Sequence, residues 1–168
     1  IQTAFDKEGK GNRAPYTMPF IIPIPGSDMA VVQYTHMRGC DFLSAEDLTK
    51  ATVEGRRQAN LAVQALRTYD EDLKDLVLIQ TAPMLGVRES RRIVGEYALT
   101  AQDLISGAQF EDGVTTATFN IDIHEPGNVT QTCQKVQPYQ IPYRCMIPKG
   151  FDGLLVAGRC ISGEHVAM

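Results

Sequence analysis

One long stretch of helical periodicity lies among short extended segments, and it constrains the fold of this chain more than any other feature. Ser44 is a favourable N-cap residue, and acidic residues follow it in the first turn. Apolar residues then recur with a period of about 3.6 as far as Tyr69. The pattern predicts a single long helix, with Lys50, Arg56 and Arg57 on its solvent-facing side.

Short segments with strand patterns flank the predicted helix on both sides. Residues 20–35 are predicted to form a hairpin around a Pro-Gly turn, and Thr100 with Asp103 predicts a capped helix that ends near Gly107. Further extended segments are predicted over residues 76–80, 91–97, 118–124 and 139–145. Residues 1–19 are broken by glycine and proline and are predicted to be an irregular arm. The fold class that follows is α+β, with a mixed or antiparallel sheet and one long helix.

The composition is that of an ordinary globular protein of about one domain. The 168 residues are 43% hydrophobic and 21% charged, and the formal net charge is −4. This charge balance argues against nucleic acid as the main partner, and no apolar stretch approaches the ~20 residues of a membrane-spanning helix. The four cysteines are widely spaced and lack a CxxC pair, so we expect free, buried or half-buried thiols rather than a zinc site.

The segment from Gly86 to Gly107 concentrates arginine at the entry to a predicted strand. The planar guanidinium suits a carboxylate, a phosphate or the anionic form of a flavin ring. Strand geometry would place Arg88 and Arg92 on one side, with Arg91 and Glu89 on the other. Spacing alone favours the alternative reading, in which these arginines form ordinary salt bridges.

Two further segments carry side chains that could do chemistry. Asp122 and His124 fall on one face of a predicted strand, where the carboxylate could orient the imidazole as a general base. The alternative, a solvated strand face, is favoured by spacing alone. Tyr139 and Tyr143 share a face of the next extended segment and could line a planar ligand, although core packing is the safer interpretation.

The last extended segment, Gly153 to Ala157, is continuously apolar and runs into a turn that begins at Gly158. A continuous apolar run is typical of a strand buried on both faces, and glycine lets a backbone approach a ligand closely. The chain contains no complete GxGxxG, GxxxxGK[ST], HExxH or GxSxG motif. It therefore carries no self-sufficient nucleotide-binding fingerprint.

Taken together, three segments resemble a known family. They are RESRRIVGEYALTAQDLISG, FNIDIHEPG and YQIPYRCMIPKGFDGLLVAGRCIS, and they occur in this order. The chain is similar over residues 20–168 to the bacterial FAD-dependent oxidoreductases related to fumarate reductase flavoproteins and glucose-inhibited division protein A. Some members of this group are labelled xanthan lyase.

The resemblance implies a substrate-side domain over residues 20–150. Residues 151–168 would then be a strand, a turn and the start of a helix that return to a Rossmann-like FAD domain. The parent enzyme would transfer a hydride between an organic small molecule and flavin. Because the amino-terminal FAD-binding half is missing from the sequence, the chain is expected to be a fragment. By itself it is then expected to be inactive and to bind no FAD, the missing half of the same chain being its partner.

We assign roles to individual residues as hypotheses, and the flavin contacts among them are implied by the resemblance. Arg88 and Arg92 would be clamps for an anion or substrate, and His124 and Tyr143 would be proton-transfer or substrate-facing groups. The expected flavin contacts come from the final turn, namely Gly158, Arg159, Cys160, Ile161 and Ser162.

An alternative function stays open on the sequence. A non-catalytic α+β binding or assembly module, associated with polysaccharide, could use the hairpin and the long helix as its interaction face. A hydrolase or lyase has less support, because neither a nucleophile elbow nor a close carboxylate pair is present. The compartment, cytoplasmic or periplasmic, and the formation of homo-oligomers stay open as well.

Overall fold

The computed structural model describes residues 20–123 and 132–168. These residues form two compact units, the first comprising residues 20–86 and the second residues 87–123 and 132–168. Small antiparallel sheets and one long helix make up the regular structure, which confirms the predicted mixture of elements. The predicted arm over residues 1–19 lies outside the described residues.

The first unit begins with the hairpin that the sequence predicts. Strands β1 (Phe20–Pro23) and β2 (Ala30–Gln33) are antiparallel, and Pro23 faces Ala30 across the turn. Gly26 adopts a φ of +75° in that turn, which favours glycine. Side chains on both faces of this two-stranded sheet are exposed.

The long helix, α1 (Ala45–Tyr69), has the bounds that its sequence pattern predicts. The Ser44 hydroxyl accepts a hydrogen bond from the backbone N–H of Asp47 at 3.3 Å and so caps the first turn. The buried face presents small residues, and Ala62 and Ala65 pack against Tyr34 of the chain that precedes the helix. The three basic residues predicted to face solvent are exposed: Lys50, Arg56 and Arg57.

The second unit contains a short helix, α2 (Ala101–Ser106), with the predicted cap. The Thr100 hydroxyl accepts from the backbone N–H of Asp103, and the Asp103 carboxylate accepts from the backbone N–H of Thr100. Gly107 ends the helix with a φ of +68°. Local sequence signals at both ends therefore define this helix.

Four short strands accompany α2 in two separate antiparallel pairs. Strands β3 (Gly113–Ala117) and β6 (Tyr139–Pro142) form one pair, and β4 (Ile121–Ile123) and β5 (Thr132–Gln134) form the other. The hydrophobic core of this unit combines residues from α2, the strands and the final turns: Leu99, Leu104, Ile121, Tyr139, Cys145 and Ala167.

Three segments predicted as strands are irregular instead. Residues 76–80 form no ladder, and the carbonyl of Leu76 accepts from the Arg67 side chain at 2.6 Å. Residues 91–97 bond to loops, with the N–H of Ile93 donating to the carbonyl of Cys160 at 3.0 Å. Tertiary partners thus replace the strand neighbours that the alternating pattern had suggested.

The third irregular segment is the apolar run from Gly153 to Ala157, predicted as a strand buried on both faces. It belongs to no sheet in the described part of the chain, and Leu154 and Leu155 are exposed. The N–H of Val156 donates to the carbonyl of Met146 at 2.9 Å. Continuous hydrophobicity therefore did not indicate burial here.

The remaining extended predictions are correct in part. Only the end of the predicted strand over residues 118–124 lies in β4, and β3 precedes it as a separate strand. Residues 139–145 begin as β6, but Pro142 ends the strand and a 3₁₀ turn, Tyr143–Met146, follows. Proline cannot donate a ladder hydrogen bond, which is consistent with the strand ending at this residue.

Candidate functional site

A cleft of about 320 Å³ lies within the second unit. Its polar wall contains Arg88, Glu89 and Arg159, and Gly158 lines it through its backbone. The other lining residues are largely apolar: Leu99, Tyr139, Ile141, Ile161, Ala167 and Met168. An apolar wall with a few charged groups at one side is the usual composition of a small-molecule site.

The final turn of the sequence, Gly158–Cys160, forms one side of the cleft as a 3₁₀ turn. Gly158 has a φ of +75° and open space where a Cβ would lie, so glycine serves the backbone conformation here rather than close packing. The Arg159 guanidinium donates to the carbonyl of Val87. The carbonyl of Cys160 accepts from Ile93, so the turn is held to residues 87–93 at both ends.

Arg88 reaches the cleft from the opposite segment and contacts β4. Its Nη1 lies 3.4 Å from Oδ2 of Asp122, and its side chain remains 58% exposed. This contact is long for a charge-assisted hydrogen bond, and it occupies one of several N–H donors of the guanidinium. Arg88 therefore retains donors for an anionic ligand.

Glu89 contacts an arginine and a histidine at the same side of the cleft. One carboxylate oxygen pairs with Nη1 of Arg92, and the other lies 2.6 Å from Nδ1 of His165. Arg92 and Glu89 thus contact each other directly, which contradicts the prediction that they lie on opposite strand faces. The prediction is wrong because residues 88–94 are not a regular strand.

Two tyrosines of the second unit have raised pKa values. Tyr139 is buried, and its burial raises the pKa of its hydroxyl. Burial, followed by a 2.9 Å hydrogen bond from Tyr97 to Asp103, raises the pKa of Tyr97 to about 12. Both phenols are consequently neutral at physiological pH.

The structure brings together part of the predicted set of site residues. Arg88, Gly158, Arg159 and Ile161 line one cleft, and Arg92 is connected to it through Glu89. Cys160 is exposed in the same turn, whereas Ser162 is buried, with its N–H donating to the carbonyl of Cys145 at 2.9 Å.

Two predicted groups are not part of this arrangement as described. Tyr143 is not among the residues that line the cleft, and it lies in the 3₁₀ turn after β6. His124 falls outside the described residues, so its role stays a prediction. Sequence reasoning treated Glu89 only as a neighbour of arginine and His165 only as the start of a helix, and it missed their pairing.

The described residues give little indication of other kinds of site. Among residues 20–123 and 132–168, no group of three or more His, Cys, Asp or Glu side chains is arranged to hold a metal ion. No helix within these ranges is long and apolar enough to cross a membrane. Cys133 and Cys160 are exposed, which contradicts the prediction that the free cysteines are all buried or half-buried.

A family model described as FAD dependent oxidoreductase matches residues 4–168, which is nearly the entire chain. No curated protein and no solved structure matched in the corresponding searches.

Proposed function

The chain belongs to the FAD dependent oxidoreductase family, and from this premise we propose that it takes part in hydride transfer between an organic small molecule and FAD. The observation that carries the proposal is the cleft in the second unit. Arg88 and the turn that begins at Gly158 face this cleft from separate parts of the sequence. This juxtaposition supports a site where a substrate and part of a flavin meet.

The residues of the cleft are compatible with one part of FAD. Ligand pockets span roughly 300–1,000 Å³, and this cleft, at about 320 Å³, is at the small end of that range. Its apolar wall suits a planar ring, and the open space at Gly158 leaves the backbone of the turn accessible. The rest of such a large cofactor would contact residues other than those that line this cleft.

When bound, the flavin supplies the capacity to accept or donate a hydride. The chain's own residues bind and orient the reactants. Arg88 would attract a carboxylate or another anionic group of the substrate through charge-assisted hydrogen bonds. Leu99, Ile141 and Ile161 would exclude water from the inner wall, which strengthens those electrostatic interactions.

We assign the two sides of the cleft to different partners. Residues 20–150 would form the substrate side, with Arg88 as the anion clamp, and residues 151–168 would approach the flavin. The expected flavin contacts remain Gly158, Arg159, Cys160, Ile161 and Ser162. A Rossmann-like domain outside residues 20–168 would hold the larger part of FAD, so this chain alone would be inactive.

The visible spectrum of the purified full-length protein tests the proposal. We expect a flavin absorption band, and we expect Gly158→Ala to weaken FAD retention because Ala is strained at positive φ beside the cofactor. Gly150→Ala is the matched control, since Gly150 has a φ of +76° and equally open surroundings but does not line the cleft. A colourless protein with no spectral change on adding FAD would overturn the proposal and favour the binding-module alternative.

The substrate side can be tested by steady-state kinetics of flavin reduction. Arg88→Ala should raise the KM for an anionic substrate by about tenfold to a hundredfold, because a hydrogen bond to a charged group contributes roughly 1.5–3 kcal/mol. Arg57→Ala is the control, since Arg57 pairs with Glu54 on the exposed face of α1. A wild-type KM in Arg88→Ala would show that Arg88 is not an anion clamp.

A further inference from the structure

A carboxylate-oriented histidine lies at the rim of the cleft. Nδ1 of His165 is 2.6 Å from Oε2 of Glu89, which is within hydrogen-bond distance. A carboxylate can only accept in such a contact, so Nδ1 carries the proton. In the neutral imidazole this leaves Nε2 with its lone pair, as the proton acceptor.

Arg92 fixes the carboxylate from its other side. Its guanidinium pairs with Oε1 of Glu89, so the two carboxylate oxygens have separate partners. The side chains of Arg92 and Glu89 are 21% and 29% exposed, whereas that of His165 is 65% exposed. The orienting pair is therefore sheltered, and the imidazole remains accessible to a reactant.

The backbone holds this imidazole beside the cleft. His165 begins the 3₁₀ turn His165–Ala167, and the preceding residue, Glu164, donates its N–H to the carbonyl of Leu99 at 2.8 Å. Leu99, Ala167 and Glu89 all line the cleft. The imidazole is thus attached to the cleft wall through both its own backbone turn and its carboxylate partner.

We propose that His165 is the proton-transfer residue of this cleft and that Glu89 and Arg92 are its positioning residues, an inference that rests on the function proposed above. The substrate class is an alcohol whose carbon bears a hydrogen. As the C–H bond breaks and its electron pair leaves with the hydride to the flavin, the hydroxyl proton passes to Nε2 of His165. The carbon–oxygen bond becomes a carbonyl, and the substrate has lost one hydride and one proton, which together are two electrons and two protons.

The charges around His165 are suited to this step. Glu89 faces the imidazole directly and stabilises the imidazolium that forms when Nε2 takes the proton. Glu164, the neighbouring carboxylate, accepts from the backbone N–H of Ala101 at 3.2 Å. The cations of this region, Arg92, Arg88 and Arg159, are engaged by Glu89, Asp122 and the carbonyl of Val87 respectively.

The tautomer of His165 gives a test that needs no flavin. Long-range ¹H–¹⁵N correlation spectra of the labelled protein should show His165 as the Nδ1–H tautomer when neutral. In Glu89→Gln, the amide oxygen must face Arg92, which can only donate, so the amide NH₂ faces the ring and favours the Nε2–H tautomer. Glu164→Gln is the matched control and should leave the Nδ1–H form in place.

His36 serves as an internal control in the same spectra. Its Nδ1 lies 3.1 Å from the carbonyl of Tyr34, a contact that Glu89→Gln does not touch. A change confined to His165 therefore reports the loss of its carboxylate partner rather than unfolding. An Nε2–H tautomer for His165 in the wild-type protein would overturn the inference, whether or not FAD binds.

Kinetics of the full-length protein test the chemical role. His165→Gln should lower the rate of flavin reduction by about 10²–10⁴-fold, the usual contribution of general acid–base catalysis. It should retain the flavin spectrum, because His165 lies at the rim of the cleft and is not among the expected flavin contacts. Wild-type reduction rates in His165→Gln would overturn the inference, whereas absence of flavin from the wild-type protein would count against the proposed function instead.

Discussion

Gln58 binds both backbone groups of His36. Its Oε1 accepts from the N–H of His36 at 3.0 Å, and its Nε2 donates to the carbonyl of the same residue at 3.2 Å. These two hydrogen bonds satisfy the backbone of His36 as a paired strand would, and they attach the segment before α1 to that helix. Gln58 is buried, so these hydrogen bonds are shielded from water.

We expect Gln58→Ala to lower the free energy of unfolding by about 1–3 kcal/mol, because it removes the side-chain partner of the half-buried N–H and carbonyl of His36. Gln64→Ala on the exposed side of the same helix is the control and should change stability by less than about 0.5 kcal/mol. Urea unfolding followed by circular dichroism measures both variants. Equal stability of the two would show that the Gln58 contacts contribute nothing.

The raised pKa of Tyr97 should make the free energy of unfolding fall at alkaline pH. Burial and the contact with Asp103 raise its pKa to about 12 in the folded protein, compared with about 10 in an unfolded chain. Between these values the unfolded state has lost a proton that the folded state retains, so the free energy of unfolding decreases as pH rises. The slope is proportional to the difference in bound protons between the unfolded and folded states, and Tyr97→Phe should reduce that difference by up to one proton.

The same measurement on Asp103→Asn separates the two causes of the Tyr97 shift. Burial is the larger cause, so this variant should keep most of the alkaline slope, and its amide oxygen can still accept from the backbone N–H of Thr100. Stability curves from pH 9 to pH 12 provide the comparison. A Tyr97→Phe slope identical to that of the wild type would contradict the assignment.

The four cysteines should differ in reactivity towards a maleimide. Cys133 and Cys160 are exposed, whereas Cys145 is buried and its burial raises the pKa of the thiol. Because the thiolate is the reactive form, Cys145 should be labelled only when the protein unfolds. Peptide mass spectrometry after timed labelling gives the rates, and labelling of Cys145 as fast as Cys160 would show that the core is open.

Gly107 should be more sensitive to substitution than a glycine with the same backbone conformation elsewhere. A Cβ at Gly107 would lie 2.8 Å from Cβ of Gln137 and 3.0 Å from the carbonyl oxygen of Pro138. Gly39 has the same φ of +68° but open surroundings. Alanine at Gly39 should cost about 1–2 kcal/mol of stability from backbone strain alone.

Alanine at Gly107 should add a further loss of about 1–3 kcal/mol from the overpacked contact. Thermal unfolding of the two variants under identical conditions makes the comparison direct. Equal melting temperatures would mean that residues 137–138 move away without cost, and the packing argument would then be wrong.

The sequence was most informative where structure is set by neighbouring residues. Ser44 and the apolar period define α1, and Thr100, Asp103 and Gly107 define α2, because caps and helical faces depend on residues a few positions apart. The segment over residues 91–97 was misassigned because its backbone partners, such as the carbonyl of Cys160, are distant in sequence. An alternating pattern of apolar residues does not indicate a hydrogen bond between residues so distant in sequence.

The candidate site was likewise predictable only where its signals come from neighbouring residues. Arginine chemistry pointed to Arg88, and the glycine turn pointed to Gly158, since both signals are local. The pairing of Glu89 with His165 joins residues 76 positions apart, and neither spacing nor periodicity could indicate it. Only the fold brings this carboxylate and this imidazole together.

Leu99 belongs both to the hydrophobic core of the second unit and to the wall of the cleft. It is 2% exposed, its N–H donates to the carbonyl of Ser162, and its carbonyl accepts from Glu164. A single residue thus holds the segment that carries His165 and also packs against Leu104 and Ala167 in the core. Ligand affinity and resistance to unfolding should consequently change together when this wall is altered, so reshaping the cleft for another substrate would have to begin with the residues at its rim.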